Sequence, residues 1–117
     1  MSDGKKILII DDEIDLCLLL KEYFLRKNYD VLISHTLGEG KTLLKSYRPD
    51  ILFLDNNLPD GVGWQDAPSF AASFPATYIV MVSAFHPTVP SMPSSAKYRV
   101  IEKPISMADL DSQFSGF

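Results

Sequence analysis

The most constraining feature of this chain is an uninterrupted apolar run, Ile51–Leu54, that stops at a carboxylate, Asp55. Four large apolar residues in a row indicate a strand buried on both faces. The next residues include Leu58-Pro59-Asp60-Gly61, which predict a turn with Gly61 free to adopt a positive φ. An acid is therefore held at the end of a stiff strand, where a loop begins.

Segments of strand and helix character alternate along the rest of the chain. Apolar runs predict four more strands, over Lys6–Ile10, Asp30–Ser34, Thr77–Val82 and Tyr98–Ile101. Helical periodicity predicts a helix after an Asp12 N-cap, helices over Leu37–Tyr47 and Trp64–Phe74, and a last helix capped by Ser106. Residues 85–95 contain three prolines, which argue against a regular helix there.

This alternation predicts an α/β fold with a parallel sheet covered by helices on both faces. Right-handed crossovers place the carboxyl ends of all strands at one edge, where ligands of such sheets bind. Five polar residues lie at or just past the ends of four different strands, namely Asp11, Asp12, Asp55, Ser83 and Lys103. Their convergence at one site is predicted from the pattern alone.

Composition narrows the class of protein. The chain has 117 residues, the size of one domain, and its net charge of −4 offers no basic surface for nucleic acid. The single Cys17 excludes an internal disulfide and a multi-cysteine metal site. Neither a signal peptide nor an apolar stretch of about 20 residues is visible. We therefore expect a cytoplasmic protein without membrane contact.

Each candidate residue also has an ordinary explanation. The acids from Asp11 to Asp15 suit the N-terminus of a helix, and Asp55 alone suits a turn cap. Ser83 alone suits a strand end, and Lys103 alone suits an exposed surface. These separate explanations do not account for the occurrence of all these residues together, each at or just past a predicted strand end.

In that order the residues resemble the receiver domain of two-component response regulators. The resemblance rests on the acidic pair Asp11 and Asp12, on Asp55 with Leu-Pro-Asp-Gly behind it, on Ser83-Ala84 and on Lys103-Pro104. It covers nearly the whole chain and implies one receiver-like domain over residues 1–117. The implied fold is flavodoxin-like, a doubly wound five-stranded parallel sheet in the order 2-1-3-4-5, here with an irregular fourth-helix region.

The resemblance also implies a chemistry for these residues. Asp55 would accept a phosphoryl group from a histidine kinase or a phosphotransfer protein. Mg²⁺ would be held by Asp12, Asp55 and the backbone carbonyl of Asn57, with Asp11 acting mainly through water. Lys103 would supply a second positive charge, next to a cis bond to Pro104. Ser83 would donate its hydroxyl to a phosphoryl oxygen, and the attached loop would follow it.

The chain departs from the family pattern in its output region. The aromatic residue usual three positions before the lysine is replaced by Val100, while Tyr98 lies two residues earlier on the same side of its strand. The proline-rich residues 85–95 replace the fourth helix. Phe85, two residues after Ser83, is predicted to shield the acyl phosphate from water.

Three functions stay open at this point. The first is a phosphorylation-dependent switch that signals to a downstream protein or to an output domain outside these residues. The second is a degenerate receiver that acts as a phosphorylation-independent docking module. The third is a small phosphatase-like enzyme with Asp55 as nucleophile, although Asn57 stands where such an enzyme usually has a second acid.

Overall fold

Five parallel strands form the centre of the molecule in a computed structural model that describes residues 5–85 and 87–117. The strands are β1 (Lys6–Ile10), β2 (Asp30–Ser34), β3 (Ile51–Asp55), β4 (Tyr78–Ser83) and β5 (Tyr98–Glu102). Their order across the sheet is β2-β1-β3-β4-β5, and every neighbouring pair is parallel. The predicted fold class and strand order are confirmed.

Helices cover both faces of this sheet. They are α1 (Ile14–Arg26), α2 (Leu37–Tyr47), α3 (Ala67–Ser73) and α4 (Met107–Phe114). A 3₁₀ turn over Gly63–Asp66 precedes α3, so Pro68 lies in the first turn of the regular helix, where its missing N–H is tolerated. The predicted cap of α4 is confirmed, because Ser106 and Asp109 form a reciprocal capping box.

Two apolar cores lie on opposite faces of the sheet, and β3 contributes to both. Phe53 packs on the α1 and α4 side, where its ring lies 5.7 Å from that of Phe24 and 5.5 Å from that of Phe114. Leu52 and Leu54 pack on the α2 and α3 side. All five residues of β3 are buried, which explains why its sequence is a continuous apolar run rather than an alternating one.

The turn after β3 differs from its prediction. A small antiparallel hairpin pairs Asn57–Leu58 with Gly61–Val62. No glycine in the described part of the chain has a positive φ, so the conformational reason expected for Gly61 is wrong. The space at Gly61 is tight, because a Cβ there would lie 2.9 Å from a methyl carbon of Leu37, which would have to shift. The hairpin is also held at its tip by Asp60, which accepts hydrogen bonds from the first amides of α2.

The proline-rich region after β4 contains neither helix nor strand over residues 87–93, followed by a short turn. His86 lies outside the described residues. The prediction of an irregular segment in place of the fourth helix is therefore confirmed for the residues described. Within the same described residues, no helix combines the length and apolar character needed to cross a membrane.

Candidate functional site

Three carboxylates meet at the carboxyl edge of the two central strands. Asp11 and Asp12 follow β1, Asp55 ends the neighbouring β3, and one oxygen from each lies within 4.8 Å of the others. Asp11 and Asp55 are almost fully buried, whereas Asp12 is exposed. The cluster therefore has two carboxylates at its base and one at its rim.

Asp11 is held rigidly from several sides. Its Oδ1 accepts a hydrogen bond of 2.8 Å from the amide of Glu13, and its own amide donates to Ser34 O at 3.0 Å. Its carbonyl oxygen accepts from Cys17 Sγ at 3.3 Å and from His35 Nδ1 at 2.9 Å. Buried polar groups with this many partners have little freedom to move.

These contacts also decide where α1 begins. The N-cap residue is Glu13, and its side chain makes no capping hydrogen bond. The prediction that Asp12 caps α1 is wrong, because the Asp11 carboxylate takes the Glu13 amide and the helix begins one residue later. The Asp12 carboxylate joins the acidic cluster instead of serving the helix.

Lys103 reaches this cluster from the loop after the far strand β5. Its Nζ lies 3.1 Å from Asp11 Oδ2, 3.1 Å from Glu13 Oε1 and 3.5 Å from Asp55 Oδ1. Its backbone amide donates to Ser83 O at 2.9 Å, and the following bond to Pro104 is cis. One ammonium group therefore contacts three carboxylates, and it does so with only 14% of its side chain exposed.

The cluster carries more negative charge than the Lys103 ammonium can balance. Burial, and then the charge of Asp11, raises the pKa of Asp55 from 3.8 to about 6, against the opposing charge of Lys103. Burial also raises the pKa of Asp11. Burial lowers the pKa of Lys103, but the charges of Asp11 and Asp55 outweigh burial and the net change is upward. A divalent cation would relieve the repulsion that one ammonium leaves uncompensated.

Ser83 and Asn57 flank the cluster. Ser83 ends β4, is buried, and accepts a hydrogen bond of 3.2 Å from the Phe85 amide at its Oγ. The same hydroxyl lies 3.4 Å from Phe85 O, to which it donates. Asn57 lies in the hairpin after β3, and its backbone N–H lowers the pKa of the Asp55 carboxyl in part against the effect of burial. The structure thus brings Asp11, Asp12, Asp55 and Lys103 into one cluster, with Ser83 at the end of β4 and Asn57 in the hairpin after β3.

Three further residues shape the site without having been singled out from the sequence. Glu13 is the third carboxylate on Lys103, and its place in the acidic run was the available signal. Gly63 is required because a Cβ there would lie 2.1 Å from the carbonyl oxygen of Asp55. Trp64 is buried and donates its indole N–H to Leu54 O at 3.2 Å. No sequence pattern indicates the Gly63 and Trp64 contacts, since both depend on how the hairpin folds back.

The arrangement agrees with a comparison against protein-family models. The model described as the response regulator receiver domain matches residues 7–115. The chain belongs to this family. Receiver domains are the phosphorylation-dependent signalling modules of two-component response regulators, and the resemblance found in the sequence is confirmed.

Two curated relatives align with this receiver domain. The chemotaxis protein CheY of Thermotoga maritima is 29% identical over 82 residues, which cover 69% of this chain and 68% of CheY. The alkaline phosphatase synthesis transcriptional regulatory protein PhoP of Bacillus subtilis is 36% identical over 61 residues. That second match covers 50% of this chain but only 25% of PhoP, so the chain spans about a quarter of that relative's length.

Solved structures show the same fold. A CheY-like receiver domain from Methanospirillum hungatei superposes with a TM-score of 0.79 at 23% identity, covering 97% of this chain and 92% of the other. The response regulator TrrA of Thermotoga maritima, solved in complex with Mg²⁺–BeF, gives a TM-score of 0.78 at 22% identity, covering 95% and 96% of the two chains.

The receiver domain departs from the family pattern on β5. Tyr98 is 40% exposed and Val100 is 45% exposed, whereas Ile101 is buried. Tyr98 and Val100 therefore share the outward side of the strand, as alternation predicts. Val100 lines a cavity of about 200 Å³ together with Trp64, Ser83 and Val89.

Proposed function

We propose that this receiver domain accepts a phosphoryl group on Asp55 from a phosphohistidine donor in the presence of Mg²⁺. The observation that carries the proposal is the meeting of three carboxylates within 4.8 Å, with the Lys103 ammonium 3.5 Å from Asp55. A turn cap or a helix N-terminus does not require two buried acids and a partly buried lysine together. Phosphoryl transfer does require a nucleophile surrounded by positive charge.

In the proposed step, a carboxylate oxygen of Asp55 attacks the phosphorus of the phosphohistidine. A P–O bond forms while the P–N bond breaks, and the imidazole nitrogen leaves with the electron pair and takes up a proton. The Asp55 nucleophile is fixed by its place at the end of the buried strand β3. Lys103 neutralises charge on the transferred group from its position beside Asp55.

The residues present fit Mg²⁺, because hard carboxylate and carbonyl oxygens are its preferred ligands in proteins. We assign direct contacts to Asp12 and Asp55, a third to the backbone carbonyl of Asn57, and a contact through water to Asp11. Burial raises the pKa of both acids, and the charge of Asp11 raises that of Asp55 further, so a cation beside them would favour their charged forms. When bound, the cation would offset negative charge on the phosphoryl oxygens.

Ser83 is proposed to connect phosphorylation to a change in the loop. Its hydroxyl now donates to Phe85 O, and a phosphoryl oxygen on Asp55 would compete for that proton. If the hydroxyl turned toward the phosphoryl group, Ser83 would lose its hydrogen bonds to the Phe85 backbone and gain one to the phosphoryl oxygen. The proline-rich segment that follows would then move with Phe85.

The donor is proposed to be a histidine kinase or a phosphotransfer protein, and the receiver of the signal a downstream protein or an output domain. We propose that residues 1–117 form one receiver domain in the cytoplasm, and we do not expect it to bind nucleic acid or membranes directly.

A second function, phosphorylation-independent docking, is favoured by the exposed Val100 and by the absence of a helix over residues 87–93.

Intact-mass spectrometry after incubation with acetyl phosphate and Mg²⁺ tests the proposal. We expect the mass of one phosphoryl group to be added to the wild-type protein, and not to Asp55→Asn or to samples with excess chelator. An unmodified wild-type protein under these conditions would favour the docking module instead. Multiple turnover of a generic phosphate ester would favour the phosphatase-like enzyme.

A further inference from the structure

Glu13 is an unusual N-cap residue. It precedes α1, yet its side chain makes no capping hydrogen bond, and its own amide donates to Asp11 Oδ1 at 2.8 Å. The Glu13 backbone is fixed further by Cys17, whose amide donates to Glu13 O at 3.1 Å. Its carboxylate is therefore not needed to hold the helix end.

The Glu13 carboxylate instead contacts the site lysine. Its Oε1 lies 3.1 Å from Lys103 Nζ, as close as Asp11 Oδ2 and closer than Asp55 Oδ1 at 3.5 Å. Asp11 and Asp55 are buried at the base of the cluster, whereas the Glu13 side chain is 54% exposed. The longest of the three contacts is thus the one to the proposed phosphoacceptor, and the ammonium is shared with an acid at the rim.

Glu13 also lines a cavity on one side of Lys103. The cavity has a volume of about 410 Å³ and lies between the start of α1 and the loop after β5. Asp15 lines the same cavity, but it has no ion pair to Lys103 among those found in the described residues. The chain therefore offers two neighbouring acids at one opening, of which only one contacts the lysine.

We propose that Glu13 is a positioning residue that draws the Lys103 ammonium toward the rim of the site and so slows phosphorylation of Asp55. This inference rests on the proposed function, because it concerns the lysine that would neutralise the transferred group. Without the Glu13 charge, Lys103 would be shared by Asp11 and Asp55 alone. The ammonium would then lie closer to the oxygens of an incoming phosphoryl group.

The test compares Glu13→Gln with the matched control Asp15→Asn, since each removes one negative charge from the same opening. The first readout is independent of activity: the NMR signal of the Lys103 ammonium in metal-free protein. We expect this signal to shift in Glu13→Gln, to stay unchanged in Asp15→Asn, and to return toward the wild-type position in Glu13→Asp.

The second readout is the rate of phosphorylation by acetyl phosphate at saturating Mg²⁺. A partly exposed ion pair is typically worth a factor of about two to five, so Glu13→Gln should be about that much faster than wild type. Asp15→Asn should change the rate clearly less, and the Mg²⁺ dissociation constant should be similar in both variants. Equal rate increases in the two variants would overturn the proposal, since they would reflect general charge at the opening.

The two proposals fail in different ways. If wild-type protein gains no phosphoryl group, the proposed function is wrong, whatever the variants do. If wild-type protein is phosphorylated but the Lys103 ammonium signal is the same in Glu13→Gln as in wild type, only the positioning role of Glu13 is wrong. Circular dichroism of each variant checks that α1 is retained.

Discussion

Replacing Asp55 by Asn is expected to stabilise the metal-free protein, although it removes the proposed phosphoacceptor. Asp55 is only 3% exposed, and Asp11 lies beside it with a charge of the same sign. Burial and the Asp11 charge together raise the pKa of Asp55 from 3.8 to about 6. Asparagine has nearly the same shape, carries no charge, and retains an oxygen that can accept the N–H of Asn57.

The magnitude follows from the size of this pKa change. A rise from 3.8 to about 6 corresponds to about 3 kcal/mol of native-state free energy that charged Asp55 costs well above its pKa. The substitution also removes the ion pair of 3.5 Å between Asp55 and Lys103, and this loss reduces the expected stabilisation. We therefore expect Asp55→Asn to raise the free energy of unfolding by about 1–3 kcal/mol near pH 8 without metal.

The sign of the pH dependence is fixed by the direction of the pKa change. The folded-state pKa of Asp55 lies above its ordinary value, so the folded protein binds more protons between about pH 4 and pH 6. The stability contributed by Asp55 is fully present below about pH 4 and is lost as the pH rises through about 6. The advantage of Asp55→Asn should accordingly be near zero at about pH 4 and complete above about pH 7.

Urea unfolding of both proteins in the presence of a chelator, at several pH values, measures this difference. Asp15→Asn is the control for loss of an exposed acid near the same strand ends, and it should change stability little. Adding Mg²⁺ should reduce or reverse the difference in free energy of unfolding between Asp55→Asn and wild type, since a bound cation stabilises the wild type by mass action. An Asp55→Asn protein that is less stable near pH 8, or an advantage that does not vary with pH, would refute the reasoning.

Three other outcomes follow from the same geometry. The Mg²⁺ dissociation constant, measured by the fluorescence of Trp64, should increase as the pH falls below about 6, because protons compete with the cation for Asp55. The increase should approach tenfold for each pH unit. A dissociation constant that stays the same from about pH 5 to pH 7 would contradict this. Gly63→Ala should lower the free energy of unfolding by about 1–3 kcal/mol or more, because the new Cβ would lie 2.1 Å from Asp55 O. The control Gly116→Ala adds a Cβ in open space, so it should leave the free energy of unfolding unchanged in the same urea assay. Phe85→Ala should hydrolyse its acyl phosphate faster in a phosphate-release assay, and an unchanged rate would rule out shielding by the ring.

The elements that the sequence predicts best are those whose pattern has one physical explanation. Leu37–Tyr47 was bounded correctly at both ends, since a Thr36 cap precedes it and the Arg48-Pro49 step follows. The order of the strands needed the family resemblance as well, because continuous apolar runs identify buried strands without saying which are neighbours. The acids of the site could be predicted because they sit at strand ends, where the sheet positions them regardless of loop detail.

Loop contacts between residues distant in sequence could not be predicted. Asp60 was expected to be a turn residue, and the structure uses it to accept the amides of Leu37 and Gly38 at 2.7 and 2.8 Å. Asp12 was expected to be a helix cap, but its neighbour Asp11 accepts the Glu13 amide first. In both cases the folded loop decides which amides a carboxylate accepts, and composition and spacing do not resolve that choice.

The contacts of Ser83 explain how the proposed phosphorylation site and the proposed output region can differ independently within one receiver domain. The Ser83 carbonyl accepts the Lys103 amide at 2.9 Å, which ties β4 to the site lysine, while the Ser83 hydroxyl is tied to the Phe85 backbone. Val100 lines the same cavity as Ser83 but makes none of these hydrogen bonds. Because the site depends on strand ends and on Ser83, replacing the usual aromatic by Val100 leaves its geometry intact. A signal from Asp55 is therefore expected to leave through Phe85, whose ring is 72% exposed, rather than through a side chain of β5.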